Sequence, residues 1–438
     1  MAATNDSRQA LLDSDALKKS TNFRKQLLLM VLAALAIRLA VAAFVYPERM
    51  NPARDHWRFA GEAGRIARSV AEGRGYSSPL FADTGPTSWL APVFPFVLAG
   101  IFKVFGVYTK ASLFAILGVD CLFSALTCIP VFFIAQKSFG DRVALWSGWA
   151  WALFPYSIYF AADFVWDTTL TTFLLCMLFL IVLHLERSSR LSDWIGFGAL
   201  AGVAALTNPV VMSVLPLLAA WMCYRRRLQG QRWLAPSAGA MLAVLVVVSP
   251  WFIRNYRAFH KFIPFRGGIG LEFYRGNNKD DWHREPPGYH PSDSDEEWKE
   301  FQRLGEVGYF EKKQAQAFAF IGSHRGLYAV MTLRRIVYLW TGFWSFGHRY
   351  LEEEPMDPPG IFLTTGLTIL TLFGLRRAFR DGVAVAMPYI IVLGCYPLAY
   401  YLTHPEDYYR RPIDPMFVIL AVYAVARWKG EKTPEFSE

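Results

Sequence analysis

The sequence predicts an all-α polytopic membrane protein: a bundle of about ten transmembrane helices (ten to twelve), with outer-face juxtamembrane helices and a large outer loop. Of the 438 residues, 54% are hydrophobic and only 18% are charged. Apolar runs of about 20 residues, long enough to cross the hydrocarbon core of a bilayer, occur repeatedly. Aromatic residues make up 16% of the chain, which suits helices with aromatic belts at the membrane interfaces.

Twelve apolar segments can be counted along the chain. They are 27–46, 89–106, 111–135, 143–161, 168–185, 194–207, 209–224, 235–253, 326–346, 361–375, 383–402 and 412–427. The basic loops between them obey the positive-inside rule only if two segments do not cross. The segment 89–106 has two prolines near its start, and 326–346 contains Arg334 and Arg335, which are costly at a bilayer centre. We expect these two segments at the outer surface as interfacial or re-entrant helices, which leaves ten spans.

The expected organisation has both termini in the cytoplasm. Its parts are a disordered tail (1–23), an N-terminal transmembrane core (24–253) with a first outer loop (47–110), a second outer loop with interfacial helices (254–360), C-terminal transmembrane helices (361–428) and a tail (429–438). Leu27–Tyr46 has the composition of a signal peptide, but its length and the many later spans favour a retained signal anchor. We expect a multi-pass protein of the cell inner (plasma) membrane.

Composition and motifs exclude several classes of function. The net charge of +9 comes from basic residues in short loops between apolar segments. This pattern reflects the orientation of the chain in the membrane and does not indicate nucleic-acid binding. All five cysteines lie in apolar segments, without a disulfide framework or a CxxC metal motif. Walker A, GxSxG and HExxH motifs are absent and the histidines are scattered, so no metal site is predicted.

The first outer loop places a carboxylate, Asp55, where the chain first leaves the bilayer. An apolar stripe at helical spacing follows it, formed by Phe59, Ala63, Ile66 and Val70. Glu62 is seven residues after Asp55, so on a continuous helix it would share the same face about 10.5 Å away, too far for one dyad. Glu62 is instead a candidate substrate-binding residue. Two interpretations stay open: Asp55 caps this helix, or it is a general base.

Two further carboxylates, Asp163 and Asp167, are expected on the same outer side. Asp167 directly precedes the run TTLTTFLL, so capping of the next helix is an alternative to a functional role. Carboxylates at a bilayer surface also bind cations or orient a polar acceptor. Asp163 has the weaker case.

Several cationic side chains are expected at the outer interface, where they could hold a phosphate group. They are Arg254, Arg257, Arg334, Arg335, His404, Arg410 and Arg411. Snorkelling at helix ends is the alternative interpretation for each of them. Arg410 and Arg411 are favoured because Pro412 fixes the chain directly after them. Arg38 lies inside the first span and either snorkels or pairs with an acid or a head group.

Four stretches carry a resemblance to a known family. They are GRGYSSPL, GPTSWLAPVFPFVLAGIFKVFG, SPWFIRNYRAFHKFIPFRGGIGLEFYRGNN and YYRRPIDPMFVILAVYAVA. In their order and expected topology they resemble bacterial members of glycosyltransferase family 39. That group includes protein O-mannosyltransferases and lipid A aminoarabinose transferases, which share the GT-C membrane fold. The resemblance covers nearly the whole chain after residue 24.

The resemblance implies a polyprenyl-phosphate-sugar donor, an active site on the outer face, and an Asp in the first outer loop. Asp55 matches that Asp, and Asp167 matches a second acidic position seen in several relatives. Many relatives carry two adjacent acids in the first outer loop, whereas His56 follows Asp55 here. A metal role that rests on such a pair is therefore in doubt, and the cofactor is unknown, with a divalent cation left open.

The expected function is an inverting transfer of one sugar from a polyprenyl phosphate to a hydroxyl group of a protein, lipid or glycan on the periplasmic face. Asp55 would accept the proton of the hydroxyl, and interfacial arginines would stabilise the departing phosphate. A single displacement is expected, because no second carboxylate is placed as a nucleophile. Two alternatives are a transporter or flippase of a lipid-linked glycan, which usually shows inverted repeats that this chain lacks, and a non-catalytic scaffold.

Overall fold

The computed structural model describes residues 2–45, 59–279, 289–292, 294–348 and 357–426. Over these residues the chain forms α-helices and short 3-10 turns, and its only extended pairing is one bridge between Ser77 and Pro86. In chain order the helices are α1 (Ala2–Val45), α2 (Gly61–Ala71), α3 (Val93–Phe105), α4 (Lys110–Leu126), α5 (Cys128–Phe139), α6 (Asp141–Ala152), α7 (Pro155–Ala162), α8 (Thr168–Leu185), α9 (Leu191–Thr207), α10 (Leu215–Leu228), α11 (Leu234–Phe259), α12 (Ile269–Gly276), α13 (Asp295–Ser323), α14 (Arg325–Thr341), α15 (Asp357–Asp381), α16 (Val383–Cys395), α17 (Leu398–Leu402) and α18 (Asp414–Ala426).

Within the residues that the structure describes, six stretches of helix are long and apolar enough to cross a membrane. They are Phe23–Phe44, Lys110–Phe139, Thr168–Leu185, Leu234–Phe259, Asp357–Asp381 and Val383–Leu402. Shorter apolar helices, among them α3 and α9, pack beside them. The predicted fold class is confirmed: the protein is an all-α, multi-pass membrane protein.

The two segments expected at the outer surface are not among these six. Helix α3 has 13 residues and is therefore about 20 Å long, too short for a hydrocarbon core of about 30 Å. Helix α14 carries Arg335, which is buried and donates hydrogen bonds to the carbonyl oxygens of Gly276 and Leu402. Protein acceptors thus offset the cost of burying this arginine.

Helices approach most closely where one of them presents a glycine. A Cβ atom added to Gly198 of α9 would lie 2.1 Å from the carbonyl oxygen of Ala240 in α11. One added to Gly374 of α15 would lie 2.0 Å from the carbonyl oxygen of Leu420 in α18. Only glycine permits these backbone distances, as is typical of close helix pairs in membranes.

The antiparallel pair α8 and α9 determines which end of the bundle holds the site. At the turn between them, the guanidinium of Arg226 donates to the carbonyl oxygens of Leu185 (2.9 Å) and Ser188 (2.8 Å). The opposite end of this helical hairpin carries Asp167, directly before α8, and Asn208, directly after α9. These two residues therefore meet at the end of the bundle that lies away from the basic turn.

The structure shows the protein contacts of Arg38. Its side chain is 0% exposed and joins four helices of the N-terminal half. It donates hydrogen bonds to the hydroxyls of Ser124 (2.7 Å) and Ser157 (2.6 Å) and to the carbonyl oxygens of Ala152 (2.9 Å) and Trp151 (3.3 Å). The last two carbonyls belong to the C-terminal end of α6. That of Trp151 also accepts a hydrogen bond from the backbone N–H of Phe154, whereas Arg38 is the donor to that of Ala152. Arg38 therefore helps to cap α6 from inside the bundle.

Replacement of Arg38 by Leu should destabilise the protein, because several buried acceptors would lose their donor while the side-chain volume changes little. We expect the free energy of unfolding to fall by roughly 3 kcal/mol. Thermal unfolding of the purified protein in detergent, followed by intrinsic tryptophan fluorescence, measures the effect. Arg24→Leu is the matched control, since Arg24 lies in the same helix and is exposed. Equal unfolding temperatures for both variants would contradict this role of Arg38.

Candidate active site

A cavity of about 460 Å³ opens at the end of the bundle where α8 begins and α9 ends. A volume of this size suits a small organic group. Its walls are formed by α2, the start of α3, the segment 264–275, the end of α16, and the turn that follows α17. Part of the lining is apolar and part is ionisable. The ionisable residues are Glu62, Asp167, Arg266, Glu272, Arg275, Tyr396, His404, Tyr400, Tyr408 and Tyr409.

Asp167 lines this cavity and does not cap α8 through its side chain. It occupies the N-cap position, but its carboxyl accepts no hydrogen bond from the first turn of the helix. The capping alternative therefore does not account for this residue. Burial raises the pKa of Asp167 to about 7. The charge of Arg266 and a hydrogen bond with Asn208 lower this pKa, but their effect is smaller than that of burial. A carboxyl with such a pKa can accept or release a proton near neutral pH.

A cluster of charged residues on and beside α12 faces the same cavity. Arg266 Nη2 lies 2.8 Å from Glu272 Oε1, and Arg275 Nη1 lies 3.8 Å from Glu272 Oε2. On the other side of this carboxylate, His404 Nε2 lies 3.6 Å from Glu272 Oε2. Tyr409 completes the group, with its hydroxyl 3.3 Å from the same histidine nitrogen.

The protonation states in this cluster follow from its charges. Burial raises the pKa of Glu272, but the charges of Arg266, His404 and Arg275 outweigh this effect and hold it at about 2. Burial and the charge of Arg275 lower the pKa of His404 to about 4. At neutral pH, Glu272 is therefore an anion and His404 is neutral, so His404 can hydrogen-bond to a ligand but cannot act as a cation. Glu406 lies 3.9 Å from the same histidine nitrogen and its charge also acts on Arg275, so the two arginines are accompanied by two carboxylates.

Sequence reasoning missed Arg266 and Arg275, although both lie in the stretch that carries the family resemblance. Their position depends on a glycine next to each. A Cβ added to Gly267 would lie 2.4 Å from Ser88 Oγ, so the chain after Arg266 can approach this serine only without a side chain. A Cβ added to Gly276 would lie 1.9 Å from the carbonyl oxygen of Thr403. These glycines beside charged residues are the signal that could have identified the pair.

The two arginines that the sequence favoured, Arg410 and Arg411, do not line the cavity. Arg410 Nε and Arg411 Nη1 donate to the two carboxylate oxygens of Asp414, at 2.9 and 3.0 Å. The guanidinium of Arg411 also lies 3.5 Å from the centre of the Tyr156 ring. Instead, the two tyrosines directly before them line the cavity, and Tyr409 stacks on Tyr400 with ring centres 4.3 Å apart.

Arg254 also lies outside the cavity, and it supports one of the cavity walls. Its guanidinium donates to the carbonyl oxygens of Tyr76 and Thr87, both at 2.6 Å. From the other side, Glu306 accepts hydrogen bonds from the Thr87 hydroxyl (2.5 Å) and the Ser88 backbone N–H (2.6 Å). These contacts fix the segment 76–91, whose last residues form part of the cavity lining.

The remaining predicted residues have different outcomes. Glu62 lines the cavity, whereas Asp163 is buried beside α7 and does not line it. Asp55 lies outside the described residues. Helix α2 begins at Gly61 with Ala60 at its N-cap position, so Asp55 is not the cap of α2 and the distance expected from one continuous helix does not apply.

No group of three or more His, Cys, Asp or Glu residues that could hold a metal ion is found within the described ranges. The question of a divalent cation stays as the sequence left it.

Comparisons with known proteins support the fold. Residues 89–253 match the family model of dolichyl-phosphate-mannose-protein mannosyltransferases. No curated protein sequence matches the chain.

Solved structures extend the match to most of the chain. An oligosaccharyltransferase, AglB from Archaeoglobus fulgidus, in complex with an inhibitory peptide and a dolichol-phosphate, is 13% identical, with a TM-score of 0.54 over 93% of this chain and 50% of that one. The same enzyme tethered to an acceptor peptide with an NVT sequon is 14% identical, with a TM-score of 0.54 over 91% and 49%. ArnT from Cupriavidus metallidurans, bound to undecaprenyl phosphate, is 14% identical, with a TM-score of 0.39 over 91% and 77%.

The chain spans about half the length of the oligosaccharyltransferase chains that it matches. At these identities the likeness concerns the fold. The expected resemblance to GT-C membrane glycosyltransferases is confirmed at that level.

The raised pKa of Asp167 leads to a spectroscopic prediction. Its carboxyl should be protonated at pH 5 and ionised at pH 9, with a midpoint near pH 7, because burial disfavours the charged form. Infrared difference spectra of the protein in detergent should show a protonated carboxyl band that disappears over this range and is missing in Asp167→Asn. Glu272→Gln is the control and should leave the band unchanged, since Glu272 is already ionised at pH 5. A band that persists in Asp167→Asn would contradict the assignment.

Proposed function

We propose that the chain is an inverting membrane glycosyltransferase that moves a sugar from a polyprenyl-phosphate donor to a hydroxyl acceptor. One observation carries the proposal: a single cavity at the end of the helix bundle contains two arginines, a carboxyl with a pKa near 7, and an apolar and aromatic lining. A lipid-linked sugar phosphate requires this combination, because its tail is apolar and its phosphate is anionic. The matching family model and the dolichol-phosphate bound to the structurally similar oligosaccharyltransferase support this class of donor.

Arg266 and Arg275 are proposed to bind the donor phosphate. The guanidinium group offers several N–H donors in a plane, which suits a phosphate with two or three free oxygens. Glu272 keeps both guanidinium groups in place, since it lies 2.8 Å from one and 3.8 Å from the other. As the bond between the anomeric carbon and the phosphate oxygen breaks, negative charge grows on the phosphate, and these fixed cations stabilise it.

Asp55 is proposed as the base that accepts the proton of the attacking hydroxyl. The hydroxyl oxygen forms the new bond to the anomeric carbon, the polyprenyl phosphate leaves, and the configuration at that carbon inverts. This assignment rests on the resemblance of the first outer loop, because Asp55 lies outside the described residues. Asp167 lies in the cavity itself and is proposed to orient the acceptor and share in proton transfer.

The site is proposed to face the outer, periplasmic side of the inner membrane. The helical hairpin of α8 and α9 places the cavity at the end opposite the basic turn held by Arg226. Basic turns of multi-pass proteins are retained on the cytoplasmic side, so the cavity opens on the other side.

Replacement of Arg266 by Met should weaken binding of dolichyl phosphate, because a charge-assisted hydrogen bond to the phosphate is lost. We expect the Kd to rise roughly tenfold to a hundredfold, and the effect to decrease at high ionic strength. Titration calorimetry in detergent measures it. Arg303→Met is the control, since the Arg303 side chain is 70% exposed on α13. An unchanged Kd for Arg266→Met would remove this residue from the phosphate site.

Replacement of Asp55 by Asn should abolish sugar transfer while lipid binding is retained. A general base contributes about 10²–10⁴-fold to the rate, so kcat should fall by that factor. Release of radiolabelled sugar from a panel of polyprenyl-phosphate hexoses and pentoses, with and without a divalent cation, measures the turnover. Asp163→Asn is the control, because Asp163 is buried nearby but does not line the cavity. Equal turnover by wild type and Asp55→Asn would show that Asp55 is not the base. Lipid movement across vesicles without sugar release would favour the transporter instead.

A further inference from the structure

The α2 wall of the cavity carries a buried carboxylate that the proposed chemistry does not use. Glu62 is 3% exposed, and its Oε1 lies 3.1 Å from Nε2 of His290, which is 4% exposed. His290 comes from the second outer loop, so this contact joins the two outer loops at the cavity. Apolar surroundings make such a polar pair costly unless its hydrogen-bonding capacity is used.

The second oxygen of Glu62 is left without a partner. Its Oε2 is buried and accepts no hydrogen bond from any residue that the structure describes. A buried carboxylate oxygen without a donor costs roughly 1–3 kcal/mol or more. Because Glu62 lines the cavity, a ligand in that cavity is the natural source of the missing donor.

The neighbours of Glu62 restrict what this donor can be. The backbone N–H of Ser292 donates to Nδ1 of His290 at 3.1 Å, so the ring proton lies on Nε2, the nitrogen next to Glu62. Burial raises the pKa of Glu62, but His290 and the charge of Arg65 outweigh this effect and lower it. The carboxylate is therefore ionised, and a nearby cation already offsets its charge. A neutral hydroxyl fits this environment better than a second cation.

An aromatic ring lies beside the histidine of this pair. Trp89 lines the cavity, and its ring centre lies 5.3 Å from that of His290. Phe310 packs against the same indole at 4.9 Å, which fixes the orientation of the ring. A rigid indole next to a hydrogen-bond acceptor presents one apolar surface and one polar group, the combination that a sugar ring requires.

We propose that Glu62, held by His290, accepts a hydrogen bond from a hydroxyl group of the donor sugar, whose ring packs against Trp89. Glu62 is thus a specificity-determining residue that recognises the sugar, whereas Arg266 and Arg275 bind the phosphate group that all such donors share. The inference rests on the proposed function, because it needs a sugar in this cavity.

The test compares two ligands, dolichyl phosphate and a dolichyl-phosphate sugar, on wild type and Glu62→Gln. The sugar is the one, among mannose, glucose and a pentose, that wild type binds most tightly. Gln has nearly the same shape as Glu, so the cavity is kept while the acceptor loses its charge. We expect the Kd of the sugar lipid to rise roughly tenfold to a hundredfold and that of dolichyl phosphate to stay unchanged. Glu72→Gln, at the exposed end of the same helix, is the matched control.

A set of monodeoxy sugars on the same lipid identifies the hydroxyl. The analogue that lacks the recognised hydroxyl should have a higher Kd for wild type than the parent sugar lipid has, by the same factor of roughly ten to a hundred. For Glu62→Gln, this analogue and the parent sugar lipid should have equal Kd values. Equal losses for both ligands in Glu62→Gln, or no loss for either, would overturn the inference. The inference would also be overturned if the wild-type protein bound no sugar lipid more tightly than it binds dolichyl phosphate. A wild type that fails to bind dolichyl phosphate would instead count against the proposed function itself.

Discussion

The ion pair between Arg266 and Glu272 is the interaction on which the candidate active site depends. It lies at the end of a helix bundle where burial penalises every isolated charge. Glu272 alone would be protonated there, and Arg266 and Arg275 alone would repel each other. Together they hold the pKa of Glu272 at about 2 and keep two guanidinium groups at the cavity wall. A phosphate group can therefore be attracted to a site whose cations are already fixed, which avoids the cost of ordering them on binding.

Arg335 fixes the position of this cluster from behind. Its guanidinium donates to the carbonyl oxygen of Gly276 and to the side-chain oxygen of Asn277, at the C-terminal end of α12. Asn277 in turn donates to the carbonyl oxygen of Leu402 at 2.9 Å. Helix α12, which carries Glu272 and Arg275, is thereby held against the turn that carries His404. The buried arginine in the apolar segment 326–346 is thus a structural residue, and its cost in an apolar environment is offset by four carbonyl or amide oxygens.

Asp167 and Glu272 show how one cavity keeps two carboxyl groups in different protonation states. Burial raises the pKa of both groups. Glu272 has two arginines beside it and stays ionised, whereas at Asp167 the effect of burial outweighs the charge of Arg266 and holds the pKa at about 7. Groups whose environments separate their pKa values are suited to different roles, one as a fixed anion and one in proton transfer.

The sequence by itself determined the membrane helices, since hydropathy and length are local properties. It also placed Asp167 and Glu62 near the site, because each lies at or near the start of a helix at the end of the bundle. It did not identify the arginines that line the cavity. Arg410 and Arg411 pair with Asp414, four and three residues away. Arg266 and Arg275 reach the cavity only because Gly267 docks against Ser88 and Gly276 against Thr403, contacts between residues more than a hundred positions apart. In the sequence, the only sign of such a long-range contact is a glycine. The tertiary structure is needed to show which residue that glycine contacts.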